Sequence, residues 1–441
     1  MIGQFPWDPF PPGEPDPKGP DPVHAIAYRA AVTAADAYHA VRLALRRESG
    51  ILRVGNRFVA DGRYREVAFL ALGNAANSMA LAALHSIGNR LTQGFLAGPE
   101  PVPVDLPFHG MVIPPGFPGA PRAAEVVEAA GEIARDLTEQ DLLLVLLSPG
   151  ALRTLATPPE GMEPDRFAEA LRAAHAQGAS GREVGLLARV LGGGGVGGRL
   201  RGVAPAADVA TLVVDRGDGA AVLGGGPMRE LEPAERAEAR TVAERCGVAD
   251  AFPRAAWSSA LPEPSPIRGT ISRPVVVASP SDALQAAADA VFDKGWSSRL
   301  AALEIREPYD AAATGLLARG EELLVAERMT AESRTKGVAA FAMTTLGLPE
   351  GVDEGPALGG FLTTARAALR RRESSVGLFR TSGDLGSPSF PPGAVVGAPT
   401  DTEVTVPLDR ARALRMKRGI TDVGCLAVVL YPKPGEGTAT S

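Results

Sequence analysis

The sequence predicts an α/β protein: a Rossmann-like domain built on a mostly parallel sheet, followed by a second, smaller α/β domain. Three observations carry this. Apolar runs of strand length alternate with stretches of helical periodicity along the chain. The runs at 66–72, 142–148 and 209–215 are apolar at nearly every position, as strands covered on both faces are. At 441 residues, the chain is also too long for one ordinary domain.

The elements follow in order. Residues 1–22 are rich in proline and read as an extension outside the domain cores. Residues 23–48 repeat Ala, Val and Leu at helical spacing, which predicts one long helix. The strand 66–72 runs through Gly73 into a helix reaching about residue 91. A helix over 123–137 leads to the strand 142–148, and a helical stretch over 167–191 leads to the strand 209–215. The first domain is expected over 23–265. Residues 257–273, with Pro262, Pro264 and Pro266, read as the linker.

The second domain is expected over 270–432. It opens on a buried strand at 274–278 (PVVVA). Ser279 then caps a helix with Pro280 in its first turn and Asp282 near its dipole, and Gly295 closes it. Further helices are expected at 308–330 and 360–372, strands at 375–380, 403–406 and 425–431, and a loose tail over 433–441. Two domains joined by a linker would place a ligand cleft between them.

Composition excludes several functions. The chain is 45% hydrophobic, and its net charge of −6 comes from interspersed acids and bases. That leaves no electrostatic footprint for nucleic acid or an anionic membrane. The apolar runs fall far short of the ~20 residues that span a bilayer. The N-terminus lacks the charged-then-apolar pattern of a signal peptide. Cys246 and Cys425 read as buried thiols of a cytoplasmic protein, with one long-range disulfide as the alternative.

Four places could carry chemistry. The Gly73–Asn74 turn aims the N–H groups of a helix start above a strand, a ready anion site, although any doubly wound domain needs such turns. Ser148, Pro149 and Gly150 form a second strand-end turn, in which Pro149 removes one N–H donor. A helix runs into four glycines at 192–195, without the Lys-Ser/Thr pair of a Walker loop. Asp215 and Asp218 follow a strand and could hold Mg²⁺ through water, or could be solvated turn residues. His24, His39, His85 and His175 lie on helical stretches and read as surface or packing residues.

In this order, these places resemble the motifs of the bacterial-type glycerate 2-kinase family (DUF4147 plus MOFRL domains). The family's strand–Gly–Lys–Ala–Ala turn is matched by Gly73, Asn74, Ala75 and Ala76, with Asn74 at the lysine position. Its Ser–Gly–Gly–Gly loop keeps Ser148 and Gly150. Its third motif keeps Gly193, Gly194 and Gly195, whereas Gly185, Leu186 and Leu187 occupy the arginine, lysine and histidine places and Gly192 that of a further lysine. Its aspartate motif keeps Gly217, Asp218, Gly226 and Pro227 but has Val214 and Gly219 at acidic places. Gly359 and Gly360 remain of a Gly-Gly-Arg-Asn-Gln-Glu motif, followed by Phe361. Asp384 survives in the next loop, and His109 falls at a His-Pro turn. The resemblance spans about 23–431.

An active member would transfer the γ-phosphoryl group of ATP to a hydroxyl of glycerate. If that activity survives in this chain, the resemblance implies ATP and Mg²⁺ as cofactors. It implies a ligand site of Gly73, Asn74, Ser148, Gly150, Gly193, Gly194, Gly195 and Asp218, metal contacts from Asp215 and Asp218, and catalytic candidates in Asp218 and Arg189. Loss of several cations removes charge that phosphoryl transfer needs. The leading expectation is therefore a non-catalytic homologue acting as a binding, regulatory or structural partner, of a paralogue or of itself. An alternative is an active kinase in which Arg153, Arg189 or Arg216 restores the charge. Another is a binder of a neutral or apolar small molecule lined by Leu186 and Leu187.

Overall fold

The computed structural model describes residues 22–103, 106–114, 116–198, 200, 208–216, 231–258, 274–300, 309–329, 336–344, 355–369, 374–380, 393–397, 405–407 and 425–432. Expectations for residues 1–21, for Gly217, Asp218, Gly219, Gly226 and Pro227, for the linker segment 259–273, for Asp384 and for the tail 433–441 lie outside these residues. The chain divides into two compact units.

The unit containing residues 36–279 begins with helix α2 (Ala37–Ala44), which follows α1 (Pro22–Ala34). The single helix expected over 23–48 is thus broken. Asp36 leaves the helical conformation and caps α2 by accepting from the His39 N–H at 2.8 Å. The end of that stretch is a strand, β1 (Leu45–Glu48), which pairs antiparallel with β2 (Ile51–Val54); β2 pairs likewise with β3 (Arg57–Ala60).

Six further strands of this unit form one sheet: β4 (Val67–Leu72), β5 (Leu91–Gly98), β6 (His109–Val112), β7 (Leu142–Leu147), β10 (Asp208–Val214) and β11 (Val275–Ala278). Their order is β11-β10-β7-β4-β5-β6 and every pairing is parallel. All residues of β4, β7 and β10 are buried, which explains their unbroken apolar runs. Each buried Val, Leu or Phe side chain contributes roughly 1.5–3 kcal/mol.

Helices α4 (Ala123–Arg135), α5 (Ala151–Leu155), α6 (Pro164–Ala176), α7 (Gly181–Leu191) and α8 (Pro233–Arg245) share a core with Leu70, Leu72, Val145, Leu147 and Val213. Helices α2 and α3 (Ala76–Ile87) pack on each other and on the sheet outside that cluster. The helical stretch 167–191 consists of α6 and α7, and Ser180 starts the second through a capping box with Glu183. Helix α3 stops at Ile87, because residues 91–98 form β5, which was not anticipated. Residues 274–278, expected to open the second domain as a buried strand, instead supply β11. It is only partly buried and edges the first sheet beside β10. A short helix α9 (Arg254–Ser258) and a two-residue pair, β8 (Ala156–Thr157) with β9 (Gly193–Gly194), also belong to this unit.

The other unit holds α1, α10 (Pro280–Phe292), α11 (Tyr309–Met329) and α12 (Gly355–Ala368) with a second sheet. Its strands are β12 (Ser297–Leu300), β13 (Gly337–Thr344), β14 (Ser375–Arg380), β15 (Gly393–Gly397), β16 (Thr405–Pro407) and β17 (Cys425–Pro432), in the order β12-β13-β17-β14-β15-β16. Only β12–β13 is parallel. Leu316, Val338, Phe361, Val376 and Val429 belong to its core. The Tyr431 hydroxyl donates to the Leu317 carbonyl across 3.1 Å, tying β17 to α11. Both cysteines are buried, and neither is in a disulfide. No described helix is long and apolar enough to cross a membrane.

Candidate functional site

Parallel neighbours β4 and β7 end side by side, so the two turns that follow them meet. Gly73 has φ 110°, a left-handed value that favours glycine. A Cβ there would lie 2.4 Å from the Ser148 carbonyl oxygen and 2.5 Å from its Oγ. Glycine is what lets the second turn close on the first.

The closure engages the amides of the turn itself. Gly73 N–H donates to Ala97 O (2.9 Å), Asn74 N–H to Pro149 O (2.7 Å) and Ala76 N–H to Gly73 O (3.2 Å). Ala75 N–H donates to Ser148 Oγ (3.0 Å), and that hydroxyl donates on to Leu72 O (3.3 Å). All four amides from Gly73 to Ala76 therefore end on protein acceptors. Ser148 acts here as a staple between turns.

Arg153, on α5, is buried at 2% exposure and donates from Nη2 to Asn74 Oδ1 over 3.2 Å. Gly150 (φ 94°) makes room: a Cβ there would stand 2.7 Å from Asn74 Oδ1 and 3.2 Å from Arg153 Nη2. The structure thus brings Gly73, Asn74, Ser148, Gly150 and Arg153 into one cluster.

The glycine run serves close packing. Gly193 and Gly194 pair with Thr157 and Ala156. A Cβ on Gly192 would meet Ala188 O at 2.4 Å, and one on Gly195 would meet Leu155 Cδ2 at 2.8 Å. Gly192 N–H is bonded to Ala188 O and Gly195 N–H to Leu155 O. Leu186 and Leu187, on α7, are buried in the same core as β4 and β7, which removes the basis for a ligand site lined by them. Arg189 is fully buried and paired with Glu235 of α8. Glu235 also accepts from Glu232 N–H at 2.8 Å, as the third residue of a capping box.

Arg216 is 7% exposed, so neither it nor Arg153 nor Arg189 points to solvent. Asp215 follows β10, with its N–H on Ala278 O at 2.9 Å. Among the described residues, no group of three His, Cys, Asp or Glu side chains could hold a metal ion. His109 is exposed on the edge strand β6, paired with Phe95. Phe361 is fully buried in α12 rather than presented to a ligand.

Sequence reasoning missed Glu235. The segment Glu232-Pro233-Ala234-Glu235 is legible as a helix start. Its pairing with a residue 46 positions away is not.

A family model described as "Domain of unknown function (DUF4147)" matches residues 24–259, more than half of the chain, and the chain belongs to that family. No curated protein matches it. Among solved structures, it resembles glycerate kinase from Thermotoga maritima with a TM-score of 0.63 at 19% identity, covering 92% of this chain and 98% of that one. It also resembles the PH0495 protein of Pyrococcus horikoshii OT3, with a TM-score of 0.62 at 17% identity, covering 93% of this chain and 98% of that one. At these identities the likeness establishes a shared fold.

Proposed function

We propose that this chain is a glycerate-kinase-like protein that no longer transfers a phosphoryl group, and that it works in the cytoplasm as a binding, regulatory or structural partner of a paralogue or of a second copy of itself. Its second unit is read as a shortened MOFRL-like domain. The observation that carries the proposal is the β4–α3 turn. The family's lysine position holds Asn74, and all four amides from Gly73 to Ala76 are bonded within the protein.

The hydrogen bonding of the Gly73–Asn74 turn supports the reading that a nucleotide's phosphates are not held there. Phosphoryl transfer depends on preorganised donors and cations aimed at developing negative charge. Here the amides from Gly73 to Ala76 are engaged, and Arg189 is paired with Glu235. A thermal-shift titration with Mg-ATP, Mg-ADP and D-glycerate tests the reading. The expected result is no saturable rise in Tm. A saturable rise of several degrees with nucleotide overturns it.

One observation favours a second reading, an active ATP- and Mg²⁺-dependent hydroxy-acid kinase with a rearranged site. Arg153 places a buried guanidinium at the Gly73–Asn74 turn, among the ligand positions that the resemblance implies. In that case wild-type protein would phosphorylate glycerate, and Arg153→Ala would lose the activity.

A further inference from the structure

A separate cavity opens where the first sheet is incomplete. The β10–β11 register begins at Leu212 opposite Val275, so among the described residues the first part of β10 has no β11 neighbour on that side. The turn between β2 and β3 sits over this notch, and Gly55 packs so close to Val275 that a Cβ would stand 2.7 Å from its Cγ2. The notch has a volume of about 450 Å³, within the range of small-molecule sites. None of the residues of the Gly73–Arg153 cluster lines it.

The lining is apolar with three polar groups. Val54, Leu212, Pro274 and Val275 are among its apolar walls. Thr211 lines it from β10, is 1% exposed, and its Oγ1 has no hydrogen-bond partner among the described residues. A buried hydroxyl without a partner is costly and uncommon, which marks a place where a further acceptor or donor fits. Asn56 and Arg57 stand at the mouth, and Arg57 makes no ion pair among the described residues. The nearest acid on β10, Asp208, is already engaged by the Tyr64 hydroxyl at 2.9 Å and by Arg63 at 3.8 Å.

We infer that this notch binds a small carboxylic acid with a short aliphatic body. The carboxylate would take the Arg57 guanidinium, a planar donor suited to it, together with the Asn56 amide. The Thr211 hydroxyl would bond an oxygen of the ligand, and the aliphatic part would cover the valines and Pro274. The inference is independent of the proposed function, because it uses neither the family turns nor nucleotide.

The test is calorimetric titration of the full chain with acetate, butyrate and hexanoate, with butyramide as the uncharged control. The expected result is saturable butyrate or hexanoate binding, tighter than butyramide by at least tenfold. Arg57→Gln should weaken it at least tenfold. Thr211→Val should weaken it severalfold without lowering the Tm of the unliganded protein, since the hydroxyl it removes makes no hydrogen bond there. Absence of saturable binding by any carboxylate overturns the inference. So does equal binding of butyramide, or unchanged binding in both variants.

Discussion

Arg153 Nη2 reaches Asn74 Oδ1 across 3.2 Å, linking the helix after β7 to the turn after β4. The side chain at the family's lysine position is thereby a hydrogen-bond acceptor for a buried cation. A lysine could not take that role: it offers three donors and no acceptor.

Asn74→Lys should therefore fail to restore phosphoryl transfer, and should destabilise the fold by about 1–3 kcal/mol. It removes an acceptor from a buried guanidinium and sets a like charge beside it. Urea denaturation read by circular dichroism measures the loss, and a gain in stability would contradict the geometry.

Gly73→Ala tests the meeting of the two turns. The new Cβ would take a left-handed backbone conformation within 2.4 Å of the Ser148 carbonyl oxygen. Strain and overpacking together should cost about 2–4 kcal/mol. A change below about 0.5 kcal/mol, typical of surface substitutions, would show that the turns do not close as described.

Glu235→Gln isolates the buried pair. Glutamine can still accept from Glu232 N–H, so the helix start survives, but Arg189 loses its carboxylate. Replacing the carboxylate opposite a buried guanidinium by a neutral amide should cost about 1–3 kcal/mol. Adding Arg189→Met should recover part of that loss, and a double-mutant cycle in urea measures the coupling.

These residues also show how much was legible in the chain. The strands β4, β7 and β10 and the turn at Gly73 are written locally, because strands buried on both faces are apolar throughout and the chain must reverse after them. The break at Asp36 was missed because helical periodicity continues across it, and only the cap distinguishes one helix from two. Residues 274–278 were legible as a strand but not as an edge of the first sheet, since strand partnership is set by tertiary packing. At the candidate site, the positions were visible and the hydrogen bonds were not. Nothing in the sequence says that Ser148 will take the Ala75 amide, or that Glu235 will meet Arg189.

His24 gives the second unit a pH dependence. It is fully buried in α1, with Nε2 2.9 Å from Ser375 Oγ, and burial lowers its pKa to about 3. The unfolded chain therefore binds a proton below about pH 6.5 that the folded chain refuses. Stability is complete above that value and falls as the pH drops towards 3. Between pH 7 and pH 5 the loss from this group should be about 2 kcal/mol, at ~1.4 kcal/mol per pH unit below 6.5. His24→Gln should flatten that slope in denaturant titrations at each pH, and an unchanged slope would contradict the burial.

The most direct test of the central claim is ATP-dependent phosphorylation of D-glycerate by the pure protein with Mg²⁺, read as ADP release and as phosphoglycerate formed. The account predicts no product above the enzyme-free rate, for the wild type and for Asn74→Lys alike. Product formed by the wild type and abolished by Arg153→Ala would contradict it, and would make Arg153 the cation of a rearranged kinase site.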